Sequence, residues 1–128
     1  MSGLAMRITE EVRGNHTILK IEGTLALGDT TRALQEHFEK ASAERTGAVV
    51  LDLSELDHLD STAIGVFVGG LKRFEAQGRR FYLVNPRDRV AAVFRITNLD
   101  SVFRMFPTVD GALQSVDFSA EEETTREH

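Results

Sequence analysis

The feature that most constrains this chain is a change of hydrophobic period near residue 60. "AVVLDL", residues 48–53, is an apolar run of strand length and β-branched character, broken only by Asp52. Such a run suits a strand covered on both faces. Beyond it, Ile64, Phe67, Val68, Leu71 and Phe74 recur at i, i+3, i+4, i+7 and i+10, the spacing of one helix face. Gly78 stands where a helix C′ residue belongs. A second apolar run, "RFYLVNP", then closes on Asn85-Pro86. A buried strand, a helix and another buried strand make a crossover unit, which implies parallel strands.

The flanking segments extend this pattern. "MRITEEVRG" and "HTILKIEG" read as two strands joined at Gly14-Asn15, a hairpin signal. "TLALGD" reads as a loop, with Asp29 a candidate N-cap. Ala33, Leu34, His37, Phe38 and Ala41 then mark a helix ending near Gly47. Val90, Val93 and Phe94 mark a third helix, ended by "TNLD"; "VFRMFPT" is a short strand and "VDGALQSV" a last short helix. From Asp117 the composition turns acidic, and a solvated, flexible tail is expected over residues 117–128. The expected architecture is one α/β domain over residues 1–116, with a mixed sheet opened by an antiparallel hairpin and continued by strand-helix crossovers.

Composition removes several classes of function. The absence of cysteine rules out disulfides, Cys-based zinc sites and thiol nucleophiles. A net charge of -5 argues against general nucleic-acid binding, which needs a basic face. No stretch of about 18 apolar residues marks a membrane span. "MSGLAMRITEEVRG" lacks a signal-peptide pattern, so a cytoplasmic location is expected.

Chemistry gathers in "LSELDHLDST", where the central strand hands over to the helix. In α/β sheets, ligands sit outside the carboxyl ends of strands, and this stretch reads as that loop. Ser61 fits a helix N-cap, with Asp60 as the alternative cap. It fits a phosphorylation site as well: a phosphate at a helix N-terminus meets free N–H groups and a favourable dipole. The two readings are compatible. Thr62 reads as a first-turn residue and Asp57 as a turn residue. His58 reads as a surface loop side chain, one imidazole among acids being a weak metal site. Asp52 points away from the core or bonds to nearby backbone. A receiver-type phospho-aspartate would need a second acidic pair after the first strand and a lysine at the end of "FYLVNP", but "IEGTLALGD" offers only Asp29 and "FYLVNP" ends without lysine; no G-x-S-x-G or Walker loop occurs. An enzyme built on Asp52, Asp57, His58 and Asp60 stays as a rival. Gly65, Gly69 and Gly70 cost their helix about 1 kcal/mol each. Close packing on the sheet and a flat strip for a partner's helix both account for them.

These residues carry a family resemblance. From the opening hairpin to about Leu113, and most specifically in "D-S-T-A-I-G" (residues 60–65), "G-R-R-F-Y-L-V-N-P" and "V-F-R-I-T-N-L-D-S-V-F", the chain resembles the STAS domain of bacterial anti-sigma-factor antagonists. The resemblance implies a STAS-like domain with helices packed mainly on one face. In that family the serine after the loop aspartate is phosphorylated by a partner kinase that is also the anti-sigma factor. Here that serine is Ser61, and Asp57, Asp60, Thr62, Ala63, Gly65 and Gly69 fall in the phospho-site loop and docking surface. The implied partners are an anti-sigma factor with serine kinase activity and a serine phosphatase, with a weak homodimer admitted. No catalysis, cofactor, metal, nucleic acid or membrane contact is implied. Three positions depart from the family: Ala63 replaces a usual glycine, and "G-T-L-A" at residues 23–26 replaces "G-E-L-D", with Thr24 and Ala26 in place of the acids. The loss of both acids keeps open a non-switching scaffold of a signalling complex, or a STAS subunit of a lipid transport system.

Overall fold

A computed structural model describes residues 6–26 and 28–116, apart from the side chain of Asp29. The expectation for residues 117–128 lies outside the described residues. Strands β1 (Met6–Arg13) and β2 (His16–Leu25) form the antiparallel hairpin. Arg13 pairs with His16 across the turn, and Gly14 takes the first central position at φ 61°, where a Cβ would be strained. Four further elements follow in alternation: α1 (Asp29–Glu44), β3 (Val49–Leu59), α2 (Ser61–Ala76) and β4 (Phe81–Val84). The chain continues with α3 (Asp88–Ile96), β5 (Arg104–Phe106) and a helix α4 at residues 109–116.

The sheet order is β1-β2-β3-β4-β5, parallel from β2 onward. Each crossover adds a strand on the same side, so α1, α2 and α3 share one face. Leu34 and Phe38 of α1, Phe67 and Phe74 of α2, and Val90 and Phe94 of α3 bury there against Leu19, Leu51 and Leu83. The opposite face holds a smaller cluster, in which Ile18, Val50, Tyr82 and Val84 meet Ala112 of α4. The first half of β3, residues 49–53, and all of β4 are therefore covered on both sides, which is why their sequences read as largely apolar runs.

The structure corrects four boundaries. Helix α1 stops at Glu44 rather than near Gly47, and Gly28, not Asp29, occupies its N-cap. Strand β2 runs on to Leu25, shrinking the expected "TLALGD" loop. Most consequential, "SELDHL" is strand and not loop, because β3 continues to Leu59 in parallel pairing with β2. The pairing shifts register twice, between Lys20 and Glu22 and between Gly23 and Thr24 of β2, and β3 gains an extra residue each time. Each bulge turns the strand over. Leu53, Leu56 and Leu59, three residues apart, consequently all point into the core. A spacing of three breaks the strand period of two, so it hid the strand.

Helix α2 ends as the sequence implies. Gly78 sits at φ 74°. Its N–H donates to Glu75 O at 2.9 Å and that of Arg79 to Phe74 O at 2.9 Å, a Schellman closure. The Arg79 side chain is 7% exposed and donates to the carbonyls of Gly47 (2.6 Å) and Ala41 (3.2 Å). Burial pushes its guanidinium below the usual arginine range.

The three glycines of α2 divide into two kinds. A Cβ on Gly70 would lie 2.7 Å from Phe38 Cε2 and 3.0 Å from Phe81 Cε2. Those rings pack edge-to-face at 5.5 Å, so Gly70 is the site of close helix approach. A Cβ on Gly65 or Gly69 would meet nothing within 4 Å. Overpacking costs roughly 1–3 kcal/mol, whereas glycine to alanine in an open helix position gains about 1 kcal/mol. Gly70→Ala is accordingly expected to lower the urea midpoint of unfolding, while Gly65→Ala and Gly69→Ala raise it. A rise for all three would refute the packing role of Gly70.

Candidate functional site

Asp60 is the single residue between β3 and α2. Its extended backbone (φ -104°, ψ -177°) lets its side chain fold over the helix start. Oδ1 accepts the Ala63 N–H at 2.9 Å, its carbonyl accepts the Ile64 N–H at 3.0 Å, and its own N–H donates to Leu25 O at 3.2 Å. One residue thus fastens the ends of β2 and β3 to the start of α2.

With Asp60 as the cap, Ser61 becomes the first helical residue rather than the N-cap. Ser61 is exposed, and among the described residues its hydroxyl makes no hydrogen bond. The site therefore offers a free hydroxyl at the positive end of a 16-residue helix, on a backbone pinned from three directions. Thr62 is exposed beside it. Ala63 is fully buried, which corrects its placement on a docking surface: its methyl group joins the core and its N–H serves the cap.

The acidic residues upstream separate into distinct roles. The Asp52 carboxylate is occupied locally, accepting from Ser54 N at 3.0 Å and Ser54 Oγ at 2.7 Å. Asp57 is a strand residue, not a turn residue, and its carboxylate pairs with Arg87. Arg87 also approaches Glu55 at 3.6 Å and donates from Nε to Ser54 O at 3.0 Å. β4 pairs with β3 only as far as Asp52, so Leu53–Leu59 has a strand neighbour on the β2 side alone. The guanidinium of Arg87 lies along the other side. Sequence reasoning missed Arg87: it is 30 residues from Asp57, and no local spacing links the two. His58 is exposed and sits across from Thr24. Among the described residues no three His, Cys, Asp or Glu are placed to share a metal ion.

A groove of about 470 Å³ runs between α1 and α2 next to this site. Gly65 and Gly69 line it together with Thr62, and Gln35, Glu39 and Arg73 contribute its polar groups. The substituted "G-T-L-A" positions border the same end of the sheet. Thr24 lies opposite His58, and Ala26 exchanges hydrogen bonds with the Thr30 hydroxyl, one residue beyond the carbonyl that binds Asp60.

The profile of the STAS domain matches residues 7–112, from β1 into α4. This chain belongs to the STAS domain family. Over 68 residues, 53% of the chain, it is 40% identical to a Thermotoga neapolitana homologue of TM1081, which is assigned as an anti-sigma factor antagonist; the aligned stretch covers 60% of that relative's length. It is 28% identical over 76 residues to the Staphylococcus aureus anti-sigma-B factor antagonist, covering 59% of this chain and 70% of that protein. Among solved structures, the anti-sigma factor antagonist SpoIIAA in its unphosphorylated form superposes with a TM-score of 0.75 at 20% identity, covering 87% of this chain and 96% of that one. The mixed α/β fold with its opening hairpin is the fold of that neighbour.

The cap assignment has a direct test. Removing an N-cap carboxylate costs about 0.5–2 kcal/mol, whereas an exposed residue without bonds usually changes stability by less than about 0.5 kcal/mol. Asp60→Ala is expected to destabilise the domain in urea titration and Ser61→Ala to leave it nearly unchanged. The reverse order would return the cap to Ser61.

Proposed function

We propose that this protein is a phospho-switched anti-sigma-factor antagonist. It binds an anti-sigma factor that is also a serine kinase and so frees a sigma factor. Ser61 is the phosphate acceptor, and a serine phosphatase resets it. The observation that carries this reading is the exposed, unbonded Ser61 hydroxyl at the first position of α2, on a start fixed by Asp60. A kinase brings its own nucleotide, magnesium and charge stabilisation; its substrate need only hold a hydroxyl in place. The relatives named as anti-sigma factor antagonists support the reading. So does the existence of a phosphorylated form of SpoIIAA, a structural neighbour at a TM-score of 0.66.

The docking surface in this reading includes Asp57, Thr62, Gly65 and Gly69, with the α1–α2 groove beside them. Gly65 and Gly69 weaken α2 with no packing return inside the domain. A partner seated against that bare strip accounts for both. Gly65→Ala and Gly69→Ala should then lower partner affinity while raising fold stability, a combination that a purely structural role does not produce. Isothermal titration beside urea unfolding reads both quantities.

A second reading, a non-switching STAS scaffold or transport subunit, draws on the neutral Thr24 and Ala26 at the rim of the site. Incubation with candidate anti-sigma kinases and Mg-ATP, followed by intact-mass and peptide analysis, separates the two. The switch predicts one added phosphoryl group, located on Ser61 and absent from Ser61→Ala, while Ser61→Ala still binds the partner. It also predicts weaker binding by Ser61→Asp. Binding without phosphoryl transfer would favour the scaffold.

A further inference from the structure

A second groove, of about 370 Å³, lies at the end of the domain away from Ser61, where α2 finishes and β4 and β5 begin. Three arginines line it, Arg79, Arg80 and Arg104, against one carboxylate, Glu75. The Arg79 guanidinium is turned inward to the carbonyls of Gly47 and Ala41, so the outward charge rests on Arg104. Arg104 is held in place by two rings: its Cζ lies 5.1 Å from the centroid of Phe106 and 5.9 Å from that of Tyr82. Among the described residues no carboxylate pairs with it. Val102, 49% exposed, adds an apolar wall. A cation braced on aromatic rings beside an exposed apolar side chain fits an acidic segment that carries an apolar group.

We propose that this groove takes the chain's own acidic segment, residues 117–128. That segment holds Asp117, Glu121, Glu122, Glu123 and Glu127 against Arg126, which is -4 of the chain's net -5. It also holds one aromatic residue, Phe118, to meet Val102. The connection is direct. Helix α4 packs on the cluster that contains Tyr82, on the sheet face where Arg104 stacks, and residue 117 follows it immediately. Twelve residues reach up to about 40 Å, more than the roughly 24 Å length of α2. Tethering gives the segment an effective concentration of order millimolar at the groove, so weak charge pairing is enough to populate the contact. The inference is independent of the role of Ser61.

Because the chain has no cysteine, Ser119→Cys carries a single nitroxide label in the otherwise intact protein. Its effect is read on the amide signals of Tyr82, Val102 and Arg104. Selective broadening of these three is expected at low salt. Recovery is expected near 1 M salt, where the screening length is about 3 Å, and also in the Glu121→Gln, Glu122→Gln, Glu123→Gln triple variant. Unbroadened signals at low salt, or broadening that persists after the carboxylates are neutralised, overturn the proposal. A mixture of labelled chain and isotope-enriched unlabelled chain tests for a second copy: equal broadening there assigns the groove to another molecule's segment and overturns the contact within one chain.

Discussion

Parallel pairing of β3 with β2 carries the backbone past Asp52, where β4 stops, and on to Leu59. The rest of the functional end depends on that extension. Without it the start of α2 would hang from a loop. With it, Asp60 emerges from a paired strand, bonds to Leu25 of the neighbouring strand and caps the helix in one step. Two bulges make the extension compatible with a core, because they return Leu53, Leu56 and Leu59 to the same face. Arg87 closes the flank that β4 leaves open, reaching Ser54, Glu55 and Asp57 from the start of α3. Precision at Ser61 is thus a property of the sheet, transmitted through one residue.

Helix α2 answers to two demands that its glycines separate. Its inner face must approach α1 and β4 closely, and Gly70 meets that demand between the rings of Phe38 and Phe81. Its outer face carries Gly65 and Gly69, where a methyl group would find open space. Intrinsic propensity disfavours all three by similar amounts, but only one is offset within the domain. An uncompensated local cost is the pattern expected where a surface serves something outside the fold.

Much of this was legible in the sequence. The apolar runs of β3 and β4, the 3.6-residue period of α2, Gly14 and Gly78 each express a local rule, and each stands where that rule put it. The far half of β3 was not legible, because its face pattern is set by bulges that only pairing with β2 creates. The choice of Asp60 over Ser61 as cap was open for a related reason. Both are good cap residues, and the decision rests on where the strand ends. The pairing of Asp57 with Arg87 and the burial of Ala63 are products of tertiary placement, which neighbouring residues do not encode. The sequence reading placed Ala63 with Thr62 and Gly65 because they are adjacent along the chain; on the helix they face different directions.

The charge layout around Ser61 sharpens the consequence of any modification there. The Asp60 carboxylate is committed to the Ala63 N–H, and that of Asp57 is paired with Arg87. Thr24 and Ala26 bring no charge to the rim. A phosphate adds about -1.5 to -2 at neutral pH with three strong acceptor oxygens. On Ser61 it would stand beside Asp60, whose carboxylate keeps its charge while accepting the Ala63 N–H, at a sheet end where the charge of Asp57 is offset by Arg87. In a rim crowded with unpaired carboxylates the same group would be an increment to an existing negative field. Replacing "G-E-L-D" by "G-T-L-A" therefore need not blunt a phosphate signal. In the proposed reading it would lower the background against which a partner senses the phosphate, and recognition of the unmodified protein would lean on shape, which the bare strip of Gly65 and Gly69 would supply.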